Sequence, residues 1–233
     1  MSLKEKVFVS YFYDENSPFF ADFYQLYYRI ISSDKTRRLK TIMITSAIEG
    51  EGKSTLASFI SYTAALSTQD YYLLIDGDMR RPSLHKIFNL QREHGLSDVL
   101  LTNRALINMI KKTSNRKLHL ITAGVQVKNP FQLLNLEKTK EILNRLQNYY
   151  RMIIVDGPPL LPVSDALRFA QIVDGVILVI RTGKTPKTVV KRATDLLKQS
   201  GCNLIGVALN DMGEVLPYYY QKKYYRYQYE MNS

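Results

Sequence analysis

The sequence has no tryptophan, one cysteine (Cys202) and only three histidines in 233 residues. A single cysteine excludes a disulfide framework and makes a reducing compartment the default. His85, His94 and His119 are scattered without metal-ligand spacing, so surface or packing roles are expected of them. No apolar run approaches the roughly 18 residues that a membrane-spanning helix needs. The best runs, such as Val176–Ile180, are strand-sized. The opening residues MSLKEKVFVS lack the apolar core of a secretory signal, so a cytoplasmic chain is expected. Neither a helix-turn-helix pattern nor an aromatic-rich sheet motif is found, and no nucleic-acid partner is expected. Acidic residues are also scarce: 21 Asp and Glu stand against 32 Lys and Arg, a net charge of +11. Excess base suits an acidic partner, whether nucleic acid, anionic lipid or a phosphorylated ligand, and composition does not choose among them.

What is present begins with a sufficient core. Apolar residues make up 45% of the chain, which excludes a disordered polymer and suits one domain or at most two. Tyrosine is abundant, and seven of the 17 fall in the string YYYQKKYYRYQY: Tyr218, Tyr219, Tyr220, Tyr224, Tyr225, Tyr227 and Tyr229. The string has neither strand alternation nor helical spacing, and Lys222, Lys223 and Arg226 interrupt it. An exposed, flexible, low-complexity tail over residues 214–233 is the expected reading.

Between the ends, short apolar runs alternate with helical patterns. Strands are expected at Thr41–Ser46, Tyr71–Asp76, Leu118–Thr122, Met152–Asp156, Val176–Arg181 and Leu204–Asn210, each nearly continuous in Ile, Leu and Val. Helices are expected at Lys53–Leu66, at Pro130–Tyr150, and at Thr185–Ser200, where Thr185 reads as N-cap and Gly201 as stop. The fold class is therefore α/β, a mainly parallel sheet flanked by helices. Residues 1–40 form an N-terminal helical segment with its helix near Pro18–Ile31, and residues 41–213 form the core.

The residues after the strand ends are rich in glycine and carboxylate, where ligands bind in open α/β sheets. Ala47-Ile48-Glu49-Gly50-Glu51-Gly52-Lys53-Ser54 matches a phosphate-binding loop, with Ala in place of the first Gly. Gly50 and Gly52 let the backbone curl so that N–H groups point at phosphate, and the next helix adds its positive end. Asp76 and Asp78 close one strand two residues apart; Asp156 closes another, before Gly157-Pro158-Pro159. Any one of these is more often a turn or cap. Three beside a phosphate loop suit phosphoryl transfer, which needs both a held metal and a group that activates the nucleophile. The P-loop NTPase-like reading follows, with ATP and Mg²⁺ as cofactors.

The trio of phosphate loop, Asp-x-Asp-x-Arg and Asp-x-x-Pro, together with the terminal tyrosine cluster, resembles the bacterial tyrosine kinases. The closest resemblance is to the cytoplasmic kinases of Gram-positive capsule and exopolysaccharide loci. It implies that Gly50, Glu51, Gly52, Lys53, Ser54 and Thr55 bind the ATP phosphates, with Asn210 toward adenine. It implies further that Ser54, Asp78 and Asp156 serve Mg²⁺, and that Lys53, Asp76 and Asp78 carry catalysis. Asp76 would be the base, a useful role because a tyrosine hydroxyl of pKa ~10 is a poor nucleophile. The seven clustered tyrosines would be the acceptors. The resemblance also implies a transmembrane adaptor of the polysaccharide co-polymerase type that recruits and activates the kinase at the inner membrane face, and a cognate tyrosine phosphatase. Self-association is expected, but a ring is not: the family's Glu-x-x-Arg-x-x-Arg positions read Ala21, Tyr24 and Tyr27. The alternative class is a dimerising ATPase of the septum-placement or plasmid-partition type. Its signature lysine is replaced here by Ile48, and such proteins have no tyrosine tail.

Overall fold

The structure is a computed structural model, and it describes residues 19–33, 39–102 and 105–211. Tyr218–Tyr229 lie outside the described residues.

Seven strands form one sheet in the order β3-β4-β2-β5-β1-β6-β7. They are β1 Thr41–Ser46, β2 Tyr72–Asp76, β3 Lys111–Lys112, β4 Leu118–Ile121, β5 Met152–Asp156, β6 Gly175–Arg181 and β7 Leu204–Asn210. All pairings are parallel except the short antiparallel β3–β4 edge. The continuous apolar runs reflect burial on both faces, and the period-2 geometry sends alternate residues to opposite layers. Ile42 and Ile44 of β1 pack on one side with Ile60 and Ala64 of the helix Lys53–Ser67 and Tyr27 of the helix Phe20–Ser33. Met43 between them packs on the other side with Leu143, Phe169 and Leu197.

The helices are α1 Phe20–Ser33, α2 Lys53–Ser67, α3 Leu84–Ile87, α4 Leu96–Leu101, α5 Pro130–Leu133, α6 Leu136–Leu146, α7 Asp165–Ala170 and α8 Lys187–Gln199, with a 3₁₀ turn at Leu106–Met109. Helix α1 is tied to the sheet by the Tyr27 hydroxyl, 2.6 Å from the hydroxyl of Tyr72 at the start of β2. Tyr27, one of the three positions compared above with the ring motif, is a core residue only 4% exposed.

The expected helix Pro130–Tyr150 is two helices. Asn129 caps the first by accepting from Gln132 N–H, and Asn135 caps the second by accepting from Lys138 N–H. A second N-cap inside a helical apolar pattern restarts the chain at a new angle. Thr185 does not cap α8, which starts behind Pro186; its hydroxyl is engaged elsewhere. Lys111 and Lys112, which carry no strand pattern, form edge strand β3. The Lys111 ammonium donates to the carbonyls of Glu93 and His94 and to the Thr122 hydroxyl.

Candidate active site

Central strand β1 ends in a left-handed loop that only glycine adopts easily. Gly50 has φ +79° and Gly52 φ +90°. A side chain at Gly52 would also collide with the Asn210 amide, whose nitrogen would lie 2.1 Å from the new carbon. Helix α2 begins directly behind it, so the backbone N–H groups of the loop and the helix terminus converge on one cleft. That cleft has a volume of about 540 Å³; Glu49, Lys53 and Ser54 line one wall, and Asp78, Arg81 and Ser83 line the other.

Asp76 and Asp156 are register partners on neighbouring strands β2 and β5, and both are fully buried. The Lys53 ammonium sits between carboxylates, 2.9 Å from Asp78 Oδ2 and 3.6 Å from Asp156 Oδ1. It also lies 3.4 Å from the Ser54 hydroxyl oxygen. Burial alone would lower the lysine pKa, but Asp156 and Asp78 outweigh it and the ammonium is held charged.

Asp76 Oδ2 accepts from the N–H groups of Ser83 and Leu84 at 3.1 and 3.0 Å, which fixes the carboxyl in one orientation. Its Oδ1, and both oxygens of Asp156, have no hydrogen-bond partner among the described residues. Burial raises the pKa of both acids, Asp156 to about 6 and Asp76 well above the usual carboxylate range. Their mutual repulsion adds to the rise at Asp76, while Lys53 opposes it at both. Three aspartates therefore face one lysine, and three buried oxygens lack a donor. Such a set is suited to a cation and to accepting a proton. Among the described residues no three acidic, histidine or cysteine side chains form a metal cage. Mg²⁺ does not require one, since it binds through one or two carboxylates with hydroxyl, water and phosphate oxygens.

Glu51 and Asn210 behave differently from the rest. The Glu51 carboxylate is only 2% exposed and does not line the cleft. It accepts from Ile48 N–H at 2.9 Å, from Arg181 N–H at 3.4 Å and from the Thr185 hydroxyl. Asn210 donates from its amide to the Glu51 carbonyl at 2.9 Å. Both brace the loop from behind. Thr55 is exposed on the first turn of α2.

Two ion pairs escaped the sequence reading because their partners are distant in the chain. Arg80 grips the buried Asp165 of α7, with Nε 2.6 Å from Oδ2. Arg81 Nη1 lies 2.5 Å from Glu49 Oε2 across the cleft. The paired arginines after Asp78 were the available signal, but no local pattern names their partners.

A phosphate loop at the end of the central strand of a parallel sheet, with carboxylates on the two strands beyond it, defines a nucleotide-binding P-loop protein. Residues 39–197 match a family model described as an AAA domain. The chain is 38% identical over 183 residues to a putative tyrosine-protein kinase CapB of Staphylococcus aureus, covering 78% of this chain and 80% of that protein. It is 36% identical over 174 residues to the tyrosine-protein kinase YwqD of Bacillus subtilis (strain 168), covering 75% and 73%. Among solved structures, the chimerical protein CapA2B2 superposes with a TM-score of 0.80 at 30% identity, covering 88% of each chain. The chain belongs to the bacterial tyrosine-protein kinases. The cell-division ATPase MinD of Pyrococcus furiosus, at TM-score 0.64 and 22% identity over 75% of this chain and 73% of that one, shares the fold alone.

Proposed function

We propose that the chain transfers the γ-phosphoryl group of ATP to tyrosines of its own C-terminal cluster. Residues 41–213 would act as the catalytic core, 1–40 as the N-terminal segment and 214–233 as the acceptor segment. The observation that carries the reading is the buried pair Asp76 and Asp156, three of whose four carboxylate oxygens have no hydrogen-bond partner among the described residues, beside the Lys53 ammonium and the phosphate loop.

Gly50, Gly52, Lys53, Ser54 and Thr55 hold the nucleotide phosphates, chiefly through backbone N–H groups and the Lys53 ammonium. Glu51 and Asn210 keep that loop in shape. Asp156, Ser54 and Asp78 would hold Mg²⁺; when bound, it neutralises charge developing on the transferred group. Asp76 receives the proton of the attacking tyrosine hydroxyl on its free Oδ1. Its raised pKa brings it closer to the range where a base works well near neutral pH, and the Ser83 and Leu84 N–H groups hold it in place. Asn210 toward adenine remains part of the proposal, since β7 ends beside the loop.

The likeness to capsule-locus kinases supports a role in regulating capsular or exopolysaccharide synthesis and export. Likeness to the CapA2B2 chimera supports a second protein as activator, here a transmembrane adaptor that recruits the kinase to the inner membrane face. No helix among the described residues is long and apolar enough to cross a membrane itself. A cognate tyrosine phosphatase would reverse the modification, and self-association would bring subunits together without the family's ring motif.

Incubation with labelled ATP and Mg²⁺ tests the reading. Label on Tyr218–Tyr229 that disappears in Lys53→Met supports it; phosphate release without labelled protein refutes it.

A further inference from the structure

Phosphate loops collect anions, yet this one carries a carboxylate at its lip. Glu49 is about half exposed there, 49% by side chain, and its partner is Arg81 from the opposite wall. Arg81 is itself 74% exposed. An ion pair this exposed is weak and exchangeable. The guanidinium also stands at the mouth of a cleft built for phosphate, an anion it can bind bidentately and more strongly. A nucleotide that draws Arg81 inward leaves Glu49 without its counter-charge, facing whatever enters next.

In the proposed reaction the next entrant is a tyrosine with basic neighbours. Lys222 and Lys223 precede Tyr224, and Arg226 lies between Tyr225 and Tyr227. No Asp or Glu falls between Tyr218 and Tyr229. The charges at the lip and along the acceptor string are complementary.

We infer that Glu49 is a specificity-determining residue for the acceptor, selecting tyrosines flanked by lysine or arginine, and that Arg81 masks it until nucleotide has entered the cleft. The inference rests on the reading that the terminal cluster is the substrate. It adds an order, nucleotide first and basic acceptor second. Phosphorylation then places a phosphate beside the same carboxylate, and repulsion favours release of the product.

The test uses the full chain and four proteins: the unaltered sequence, Glu49→Lys, a tail carrying Lys222→Glu, Lys223→Glu and Arg226→Glu, and the combination. The measured quantity is the initial rate of tail phosphotyrosine formation, expressed as the ratio of natural to charge-reversed tail within each Glu49 background. Changes in ATP binding cancel in that ratio. With Glu49 present the natural tail is favoured by about two- to fivefold, the range of one exposed charge pair. With Glu49→Lys the ratio falls below one. At saturating ATP, Arg81→Ala leaves the ratio nearly unchanged, because bound nucleotide has already unmasked Glu49, and raised salt shrinks it. A ratio that Glu49→Lys leaves unmoved overturns the inference while the kinase reading stands. No phosphotyrosine on the natural tail of the unaltered protein overturns both.

Discussion

Replacing Glu51 by alanine gives a sharp test of how the phosphate loop is held. The carboxylate is buried, and its three donors come from Ile48, Arg181 and Thr185. The Thr185 hydroxyl and the Ile48 N–H, at 2.9 Å, are the strong contributors; the Arg181 N–H at 3.4 Å adds little. Hydrogen bonds to a charged group contribute roughly 1.5–3 kcal/mol each, and part of that only offsets removal of the carboxylate from water. A net loss of about 2–3 kcal/mol follows for Glu51→Ala. At roughly 2–4 °C per kcal/mol for a chain of this size, the nucleotide-free protein should unfold about 4–12 °C lower. Thr185→Val should reproduce part of the loss, and the double variant should lose less than the sum, because one bond is removed twice. The same loosening should raise the KM for ATP more than it lowers kcat, since no bond to reacting atoms is touched. Thermal and urea unfolding of the three variants, with steady-state kinetics, check this. Unchanged midpoints in Glu51→Ala, or strict additivity with Thr185→Val, would refute the brace.

Further outcomes can be stated briefly. Asp76→Asn should lower the rate of tail labelling at least a hundredfold, the scale of a lost general base, while leaving nucleotide affinity near its original value; nucleotide titration beside the labelling assay separates the two. The Asp156 pKa is raised from 3.8 to about 6, so over that window the folded protein retains a proton that the unfolded chain has released. Stability of the nucleotide-free protein should therefore fall as pH climbs through it. Asp156→Asn should flatten this dependence and abolish the thermal shift produced by Mg²⁺, a shift that EDTA should also remove from the unaltered protein. Tyr27→Phe should cost about 0.5–1.5 kcal/mol by removing the bond to the Tyr72 hydroxyl, measured as a shift in the urea midpoint.

The sheet was legible because doubly buried strands leave continuous apolar runs such as Met152–Val155, and their carboxyl ends carry the glycines and aspartates. The phosphate loop was legible because its demands are local: two residues at positive φ, then a lysine at a helix start. What escaped was set by partners far apart in the chain. Glu51 reads as one more loop residue until Thr185, 134 positions later, is found against its carboxylate. Thr185 in turn reads as a helix cap, because the pattern Thr-Pro before an apolar face is satisfied equally well by a residue turned toward the loop. The break at Leu134–Asn135 was obscured because the apolar spacing continues across it, and only the Asn135 side chain marks the restart. The bonds of the Lys111 ammonium were not legible because its three oxygen partners, on Glu93, His94 and Thr122, lie 11 to 18 positions away in the chain.

The last strand has a consequence for reach. Because β7 runs parallel to β6, it delivers the chain at the edge of the sheet where the phosphate loop lies, with Asn210 touching Glu51. An antiparallel final strand would have released the chain at the far edge, some 23 Å away at about 3.3 Å for each of its seven residues. From Asp211, seven residues lead to Tyr218 and 18 to Tyr229. The corresponding upper limits are about 23–25 Å and about 59–65 Å. Tethers of this length hold a tethered group at an effective concentration on the order of millimolar wherever they can span the gap. Under the proposed function, strand direction thus sets the local dose of acceptor tyrosine, and a kinase fed at that dose would have little need of tight binding to its substrate.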